Sequence, residues 1–373
     1  MSGPIRVAYT LMQCWHRVPG GSATAVLSLA ETLARRDDVD LVGIGTSAGA
    51  APAEPFVPPI PYRTTRLPYQ AVYELWNYTR LASPSRIVHG ADVVHATTTM
   101  VPSAGKAKLV VTVHDLFPLR SPEQFTPRGV RLMTRGINKA RKRADLVIVP
   151  SEDTRRDCLE AGFDAERLRV IPWGTSHRMA TFAERAAVRA RHRLERPFVL
   201  WAGTIEPRKN LPLLIDAYAA MPERNEVDLV LVGPSGWDAE LVAKVDALGD
   251  AVRRLGFVSS SDLTALYAEA DLVAVPSLRE GFGLPALEAM AQGTPVLAGA
   301  GTAVAEVVGD GGLTLPVAAG SDSVEAWADA MGRLLADRGC RDAMGVKAWV
   351  RSQGVRWEKC ASQHATAYRE VVA

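Results

Sequence analysis

Short apolar runs alternate with longer stretches of helical period along the first half of the chain. Strands are predicted at residues 5–10, 39–44, 92–96, 109–114, 145–149 and 168–171, with chain enough between them for crossover helices. That alternation is the pattern of a parallel sheet covered by helices on both faces. A charged, helical stretch at 175–196 interrupts it, and a second series follows with strands at 198–202, 228–232, 252–255, 271–275 and 295–298. The break falls at Val170-Ile-Pro-Trp-Gly174. The pattern therefore predicts two α/β domains, 1–174 and 175–355, each a doubly wound parallel sheet. Residues 50–69 are rich in proline and lack periodicity, so they read as a surface excursion. Helices are predicted at 323–336 and 341–350. In the tail Trp357, Ala361, His364, Tyr368 and Val371 recur at spacings of three or four, the mark of a last helix in which His364 serves packing.

Ligands of an open parallel sheet bind beyond the carboxyl ends of its strands, so the loops there hold the candidate chemistry. After the strand at 271–275 comes Arg279-Glu-Gly-Phe-Gly-Leu-Pro285, then a short helix to Gln292 that stops at Gly293. Gly281 and Gly283 flank Phe282 and carry no side chain, so the backbone N–H groups from Gly281 to Leu284 can approach an anion or a hydroxyl, helped by the positive end of the following helix. Two carboxylates bracket this seat, Glu280 before it and Glu288 about one turn into the helix, where it could accept hydrogen bonds from a diol. The loop Gly203-Thr-Ile-Glu-Pro-Arg-Lys-Asn210 puts Arg208 and Lys209 at a helix start with Asn210 as candidate cap, a forked contact and a point charge suited to a diphosphate. Gly20-Gly21-Ser22 precedes a helix expected at 23–36, and Gly21 leaves room for a ligand. A loop at 233–236 follows the strand at 228–232, and Gly256-Phe257-Val258 follows the next. His114-Asp115 ends a buried strand. Each feature has a plain reading when taken singly: a solvated pair, an ordinary turn, or a histidine that caps its strand and satisfies Asp115.

Taken together, Glu-Gly-Phe-Gly-Leu-Pro with a second Glu at this spacing, followed by Gln-Gly-Thr-Pro-Val, resembles the signature of the retaining family-4 glycosyltransferases. The resemblance implies the GT-B fold: two Rossmann-like domains facing across a cleft, with the C-terminal helix, 356–373, crossing back onto the N-terminal domain. It implies Arg208 and Lys209 as pyrophosphate ligands, Glu280 on the hydroxyls of the transferred sugar, Glu288 on the ribose, Phe257 and Val258 beside the nucleobase, and His114 in contact with the sugar. The departing nucleoside diphosphate would be stabilised by those cations, the Gly281–Gly283 amides and the helix dipole. No Asp-x-Asp stands at a strand end, Asp38-Val-Asp40 opening a strand instead, so no catalytic metal is expected; no cofactor is expected either. Glu-Pro-Arg-Lys-Asn resembles the loop of several mannosyltransferases and makes GDP-mannose the first donor, with UDP-glucose or UDP-N-acetylglucosamine next; the acceptor would be a glycan, a lipid-linked species or a small molecule. The segment Ala303-Val-Ala-Glu-Val-Val308 also resembles the family's, but Gly299-Ala-Gly-Thr302 replaces its more polar lead-in. Rival readings are an epimerase or phosphorylase of the same architecture and a non-catalytic nucleotide-sugar-binding protein. A dinucleotide-dependent dehydrogenase lacks its G-x-G-x-x-G fingerprint here.

Composition adds limits. The net charge of +2 is unevenly spread, with 22 Lys and Arg against 16 Asp and Glu in residues 1–171. This excess argues against general nucleic-acid binding and permits contact with an anionic surface. Its focus is residues 128–143, which hold seven cations and no acid, with Val130, Met133, Ile137 and Ala140 as the expected apolar stripe. A packed helix with a solvated basic face and a peripheral membrane anchor both fit. Cys14, Cys158, Cys340 and Cys360 show no metal-ligand spacing and read as reduced thiols. The chain opens on a strand and has no apolar run of membrane-spanning length, so a cytoplasmic protein, at most peripheral at the inner membrane face, is expected.

Overall fold

The computed structural model describes residues 3–16, 19–79, 83–234 and 239–373. The chain divides into two compact units, residues 1–174 with 357–373, and residues 175–356.

Unit 1 contains strands β1 (Ile5–Thr10), β2 (Val39–Thr46), β3 (Tyr62–Thr65), β4 (Val93–Ala96), β5 (Lys108–Thr112), β6 (Leu146–Val149) and β7 (Leu168–Val170). They form one sheet in the order β3-β2-β1-β4-β5-β6-β7, every neighbouring pair parallel. Its helices are α1 (Gly20–Leu33), α2 (Tyr69–Tyr78), α3 (Pro84–Ile87), α4 (Phe117–Arg120), α5 (Pro127–Arg143) and α6 (Glu152–Glu160), joined by the C-terminal helix over Trp357–Val372. Strands β4 and β6 are buried at every position, which is why they read as unbroken apolar runs.

Unit 2 contains α7 (Phe182–His192), β8 (Phe198–Ala202), α8 (Leu211–Ala220), β9 (Asp228–Val232), α9 (Ala239–Ala247), β10 (Val252–Gly256), α10 (Ser260–Glu269), β11 (Leu272–Val275), α11 (Leu284–Ala291), β12 (Val296–Gly299), α12 (Ala303–Val308), β13 (Gly312–Leu315), α13 (Ser321–Ala336) and α14 (Arg338–Ser352). The C-terminal helix of unit 1 is α15. The sheet order is β10-β9-β8-β11-β12-β13, again all parallel. In both sheets the order reverses beside the first strand, between β1 and β4 and between β8 and β11. A crevice for a ligand opens at such a reversal, outside the carboxyl ends of the two strands.

Two strands escape the sequence reading. β3 lies inside the proline-rich excursion as an exposed edge strand on β2, and β13 forms the other sheet's edge with partly exposed positions. Neither carries a buried run, so hydrophobic patterning has nothing to mark. Helix α1 begins at Gly20, not residue 23, because Gly20 takes φ 70° and turns the chain straight into the helix. Two residues of the predicted loop at 233–236 lie outside the described residues.

Helix α5 corrects the expected apolar stripe. Its buried face is Leu132, Gly136, Ile137 and Ala140, while Val130 and Met133 are only partly covered. Gly136 sets this rotation: a Cβ there would stand 1.7 Å from the carbonyl oxygen of Thr99, so the helix backbone lies directly on that loop. Several cations of the basic face have local partners. Arg135 donates to Asn77 O at 2.9 Å and covers the Tyr78 ring at 4.4 Å, and Lys139 donates to Trp76 O and, at 3.0 Å, to Val101 O. Trp76 and Asn77 end α2, so these cations satisfy carbonyls and the negative dipole end of that helix. Arg128 pairs with Glu74 at 2.8 Å, whereas Arg131, Lys142 and Arg143 are exposed to solvent.

Helix α15 packs on α1, and its Tyr368 hydroxyl lies 2.7 Å from Nδ1 of His95 on β4, while His95 Nε2 is 2.8 Å from Thr112 Oγ1 of β5. His364 is buried beside them. Cys14, Cys158 and Cys360 are free and buried, and Cys340 is free and exposed. Among the described residues no helix is long and apolar enough to cross a membrane. Replacing Gly136 with Val should force α5 off the Thr99 loop and destabilise the protein by ~2 kcal/mol or more, measured as a lowered urea midpoint with the slope unchanged.

Candidate functional site

The reversal between β8 and β11 in unit 2 gathers most of the candidate residues. After β8 the chain makes a 3-10 turn, Pro207–Lys209, before α8. Arg208 and Lys209 thus sit in that turn, not on the helix, and Asn210 follows with φ 51°. Asn210 does not cap α8 with its side chain; its amide reaches Val317 O at 3.2 Å instead. The loop after β11 is clipped to this turn by Leu278 N donating to Arg208 O at 2.8 Å.

Glu280 lies between the two cations. Its Oε1 accepts from Lys209 Nζ at 2.5 Å and from Ser277 Oγ at 2.8 Å, and its Oε2 accepts from Arg208 Nη1 at 3.0 Å. Arg208 Nε turns to Glu206 at 2.7 Å. Lys209 is 9% exposed and Glu280 8% exposed, so the pair is desolvated. Burial pushes the Glu280 carboxyl up, but the Lys209 and Arg208 charges and the hydrogen bonds from Lys209 and Ser277 outweigh it and hold the group below the usual carboxylate range. Three accepted bonds leave Glu280 roughly one lone pair, on Oε2, for a hydroxyl from outside.

Gly283 starts α11 with φ 116°, a conformation that favours glycine, and a Cβ there would meet Val304 Cγ2 of α12 at 3.0 Å. Phe282 is buried and Gly281 and Leu284 are partly covered, so the peptide groups of this turn are held by packing beside Glu280. Glu288 follows on α11, partly buried. Burial raises its carboxyl to about 7, against a smaller opposing effect of the Tyr267 hydroxyl, which makes no hydrogen bond of normal geometry. An acid so placed is short of hydrogen-bond donors. Phe257 and Val258 follow β10 at the edge of the sheet, where Phe257 is 66% exposed.

Unit 1 holds the other two candidates. Gly21 lies in the first turn of α1, where an added Cβ would meet nothing within 4 Å, so packing does not demand glycine there. His114 follows β5 and turns to Thr97 rather than Asp115: its Nε2 donates to Thr97 O at 2.8 Å. Thr97 is itself fixed by Thr10 and Gln13, whose Nε2 donates to Thr97 Oγ1 at 2.9 Å. Burial lowers the His114 imidazole to about 4, with the Thr97 bond opposing. The ring is therefore neutral at pH 7 and presents Nδ1 as an acceptor. Trp173 lies 5.5 Å from it, with 30° between the planes. Ser277, Glu206, Thr97 and Trp173 were not singled out by the sequence reading, although Ser277 and Glu206 stand within three residues of the groups they hold. Among the described residues no cluster of three or more His, Cys, Asp or Glu is placed to hold a metal ion.

Two all-parallel sheets of seven and six strands in Rossmann order are those of the GT-B fold. The chain belongs to the group 1 and family 4 glycosyltransferases: residues 184–349 match the model described as glycosyl transferases group 1, and residues 19–178 match that of glycosyltransferase family 4. It is similar to the O-antigen chain mannosyltransferase B of Escherichia coli, at 31% identity over 70% of each chain. Similarity to the D-inositol 3-phosphate glycosyltransferase of Corynebacterium glutamicum reaches 33% identity over 62% of this chain and 58% of that one. In fold it is similar to Anabaena HepE, solved with UDP and glucose, with a TM-score of 0.79 at 24% identity, covering 98% of this chain and 100% of the other.

The raised Glu288 acid has a consequence for stability. A carboxyl whose folded value lies near 7, against an ordinary 4.5, contributes stability that is complete below about pH 4.5 and is lost as pH rises through 7. Glu288→Gln should therefore stabilise the ligand-free protein by about 1–2 kcal/mol at pH 8, with the gain shrinking below pH 5, as read from urea unfolding at the two pH values.

Proposed function

We propose that this glycosyltransferase is a retaining, metal-independent hexosyltransferase that takes mannose from GDP-mannose and passes it to a glycan, lipid-linked or small-molecule acceptor. The observation that carries the reading is the Arg208–Glu280–Lys209 cluster, with Lys209 and Glu280 buried, beside the start of α11 at the strand reversal of unit 2. Mannose is favoured by the name of the Escherichia coli relative. A UDP-hexose is the second reading, favoured by the fold likeness to a protein solved with UDP and glucose.

In this reading the bond between the anomeric carbon and the β-phosphate oxygen breaks, and its electron pair leaves with the diphosphate. Arg208, Lys209 and the N–H groups that open α11 take up that charge. Glu280 uses its remaining lone pair to orient a sugar hydroxyl, Glu288 accepts from the ribose, and Phe257 and Val258 border the base. His114, neutral and held by Thr97, offers Nδ1 to the transferred sugar, and Gly21 leaves room near the phosphate and acceptor. The acceptor hydroxyl attacks from the face the diphosphate leaves and gives its proton to the departing phosphate oxygen. Exposed Arg131, Lys142 and Arg143 on α5 suit peripheral contact with an anionic membrane, which co-sedimentation with phosphatidylglycerol vesicles at low salt, lost at high salt, would establish. Protein left in the supernatant at low salt removes that part of the reading.

A panel of nucleotide sugars with and without simple glycoside acceptors tests the reaction: configuration at the new bond reports retention, and hydrolysis or transfer reports the donor. An interconverted nucleotide sugar, or release by phosphate, would instead mean an epimerase or a phosphorylase. Arg208→Ala should weaken GDP or UDP binding about tenfold or more, whereas Glu280→Gln should lower kcat by about 100-fold and leave binding as tight or tighter, since it frees two cations. Nucleotide affinity should fall about tenfold between pH 8 and pH 6 as Glu288, titrating near 7, loses its charge. In Glu288→Gln, calorimetry should show weaker binding with that slope removed.

A further inference from the structure

A series of neighbouring rings connects His114 to the last helix. Trp173 lies 5.5 Å from His114, and the same indole lies 6.0 Å from His364 of α15 with 16° between the planes. His364 in turn is 5.9 Å from His95, the residue bonded to Tyr368. Trp173 and His364 are both buried. Trp173 also stands 6.1 Å from Trp357, so the two tryptophans flank the points where the chain leaves unit 1 and re-enters it.

Two observations give this column a purpose beyond filling space. First, among the described residues the His114 ring has one hydrogen bond, to Thr97 O, and a single bond leaves the imidazole free to swing about that axis. A flat neighbour at 5.5 Å restricts the swing. Second, His364 is an uneconomical core residue. Its Nδ1 donates to Cys360 O at 2.9 Å, which leaves Nε2 as a lone pair, buried and without a partner. An unmet acceptor costs about 1–3 kcal/mol, so hydrogen bonding does not account for a histidine there, while its planar ring against the indole does.

We infer that Trp173 is a positioning residue for His114, and that α15, through the His364 ring, holds Trp173 in place. The inference rests on the reading of His114 as the group that meets the sugar. It makes residues 357–373 part of the reaction's geometry as well as of the core.

The test uses the full chain with Trp173→Phe, Trp173→Leu, His364→Phe and His364→Leu, beside His114→Ala. Donor turnover, nucleotide affinity and the nitrogen resonances of the His114 ring are measured, the latter assigned by their loss in His114→Ala. Ring-retaining variants should keep kcat within about threefold of the parent. Trp173→Leu should lower kcat about tenfold or more with nucleotide affinity within about twofold, and the His114 ring should shift to mixed tautomers and titrate closer to a free imidazole. His364→Leu should do the same to a smaller degree, and it decides the matter together with Trp173→Phe should Trp173→Leu not fold. Unchanged His114 resonances and unchanged kcat in the folded ring-free variants overturn the inference. If His114→Ala turns over donor like the parent, the catalytic reading of that histidine fails, and the resonances alone then show whether Trp173 orients the ring.

Discussion

A carboxylate remains ionised in a protein interior only where cations or hydrogen-bond donors accompany it. Removing each ion from water costs several kcal/mol, and one pair at 4 Å in a medium of effective dielectric ~20 returns only ~4 kcal/mol. Glu280 meets this demand with two cations and a hydroxyl, Lys209, Arg208 and Ser277. The consequence is mechanical as well as electrostatic. Arg208 and Lys209 come from the loop after β8, and Glu280 from the loop after β11, so the ion cluster ties together segments 71 and 72 residues apart in sequence and fixes the mouth of the crevice between them. Glycines at 281 and 283 then need only follow the path that the cluster sets.

Unit 1 solves a related problem without charge. Thr10, Gln13 and Thr97, at the ends of β1 and β4, satisfy one another through side-chain and backbone bonds, and the carbonyl left over at Thr97 selects the tautomer of His114. Uncharged donors and acceptors suffice because nothing ionised is buried there. The neutral imidazole that results can orient a hydroxyl but cannot carry positive charge at pH 7, which separates its work from that of the cations in unit 2.

The series of buried strands and the main candidates were legible because they are local. The Glu280–Glu288 segment is one strand, one loop and one helix turn, and its glycines and proline announce the loop's conformation. The remainder is hidden for physical reasons. β3 and β13 are edge strands with exposed or half-exposed positions, so they show no apolar rhythm. The α5 stripe was misplaced because Gly136, which has no side chain to count as apolar, sets the buried face through contact with Thr99. Glu206 competes for Arg208, and Trp173 lies against His114 and His364; such pairings depend on how strands are ordered in space, and no spacing along the chain encodes them.

Thr175 and Arg356 form a parallel bridge, with Thr175 N donating to Val355 O at 3.3 Å. Unit 2 therefore begins and ends at one stem, as an insertion into unit 1. During synthesis on the ribosome this order matters. Unit 2 has its whole sheet available as soon as residue 356 has emerged, whereas unit 1, made first, still lacks Tyr368 for His95 and the α15 face for α1. The earlier-translated half is thus the later one to reach its finished core, and a chain released before Tyr368 would leave His95 of that half without its partner.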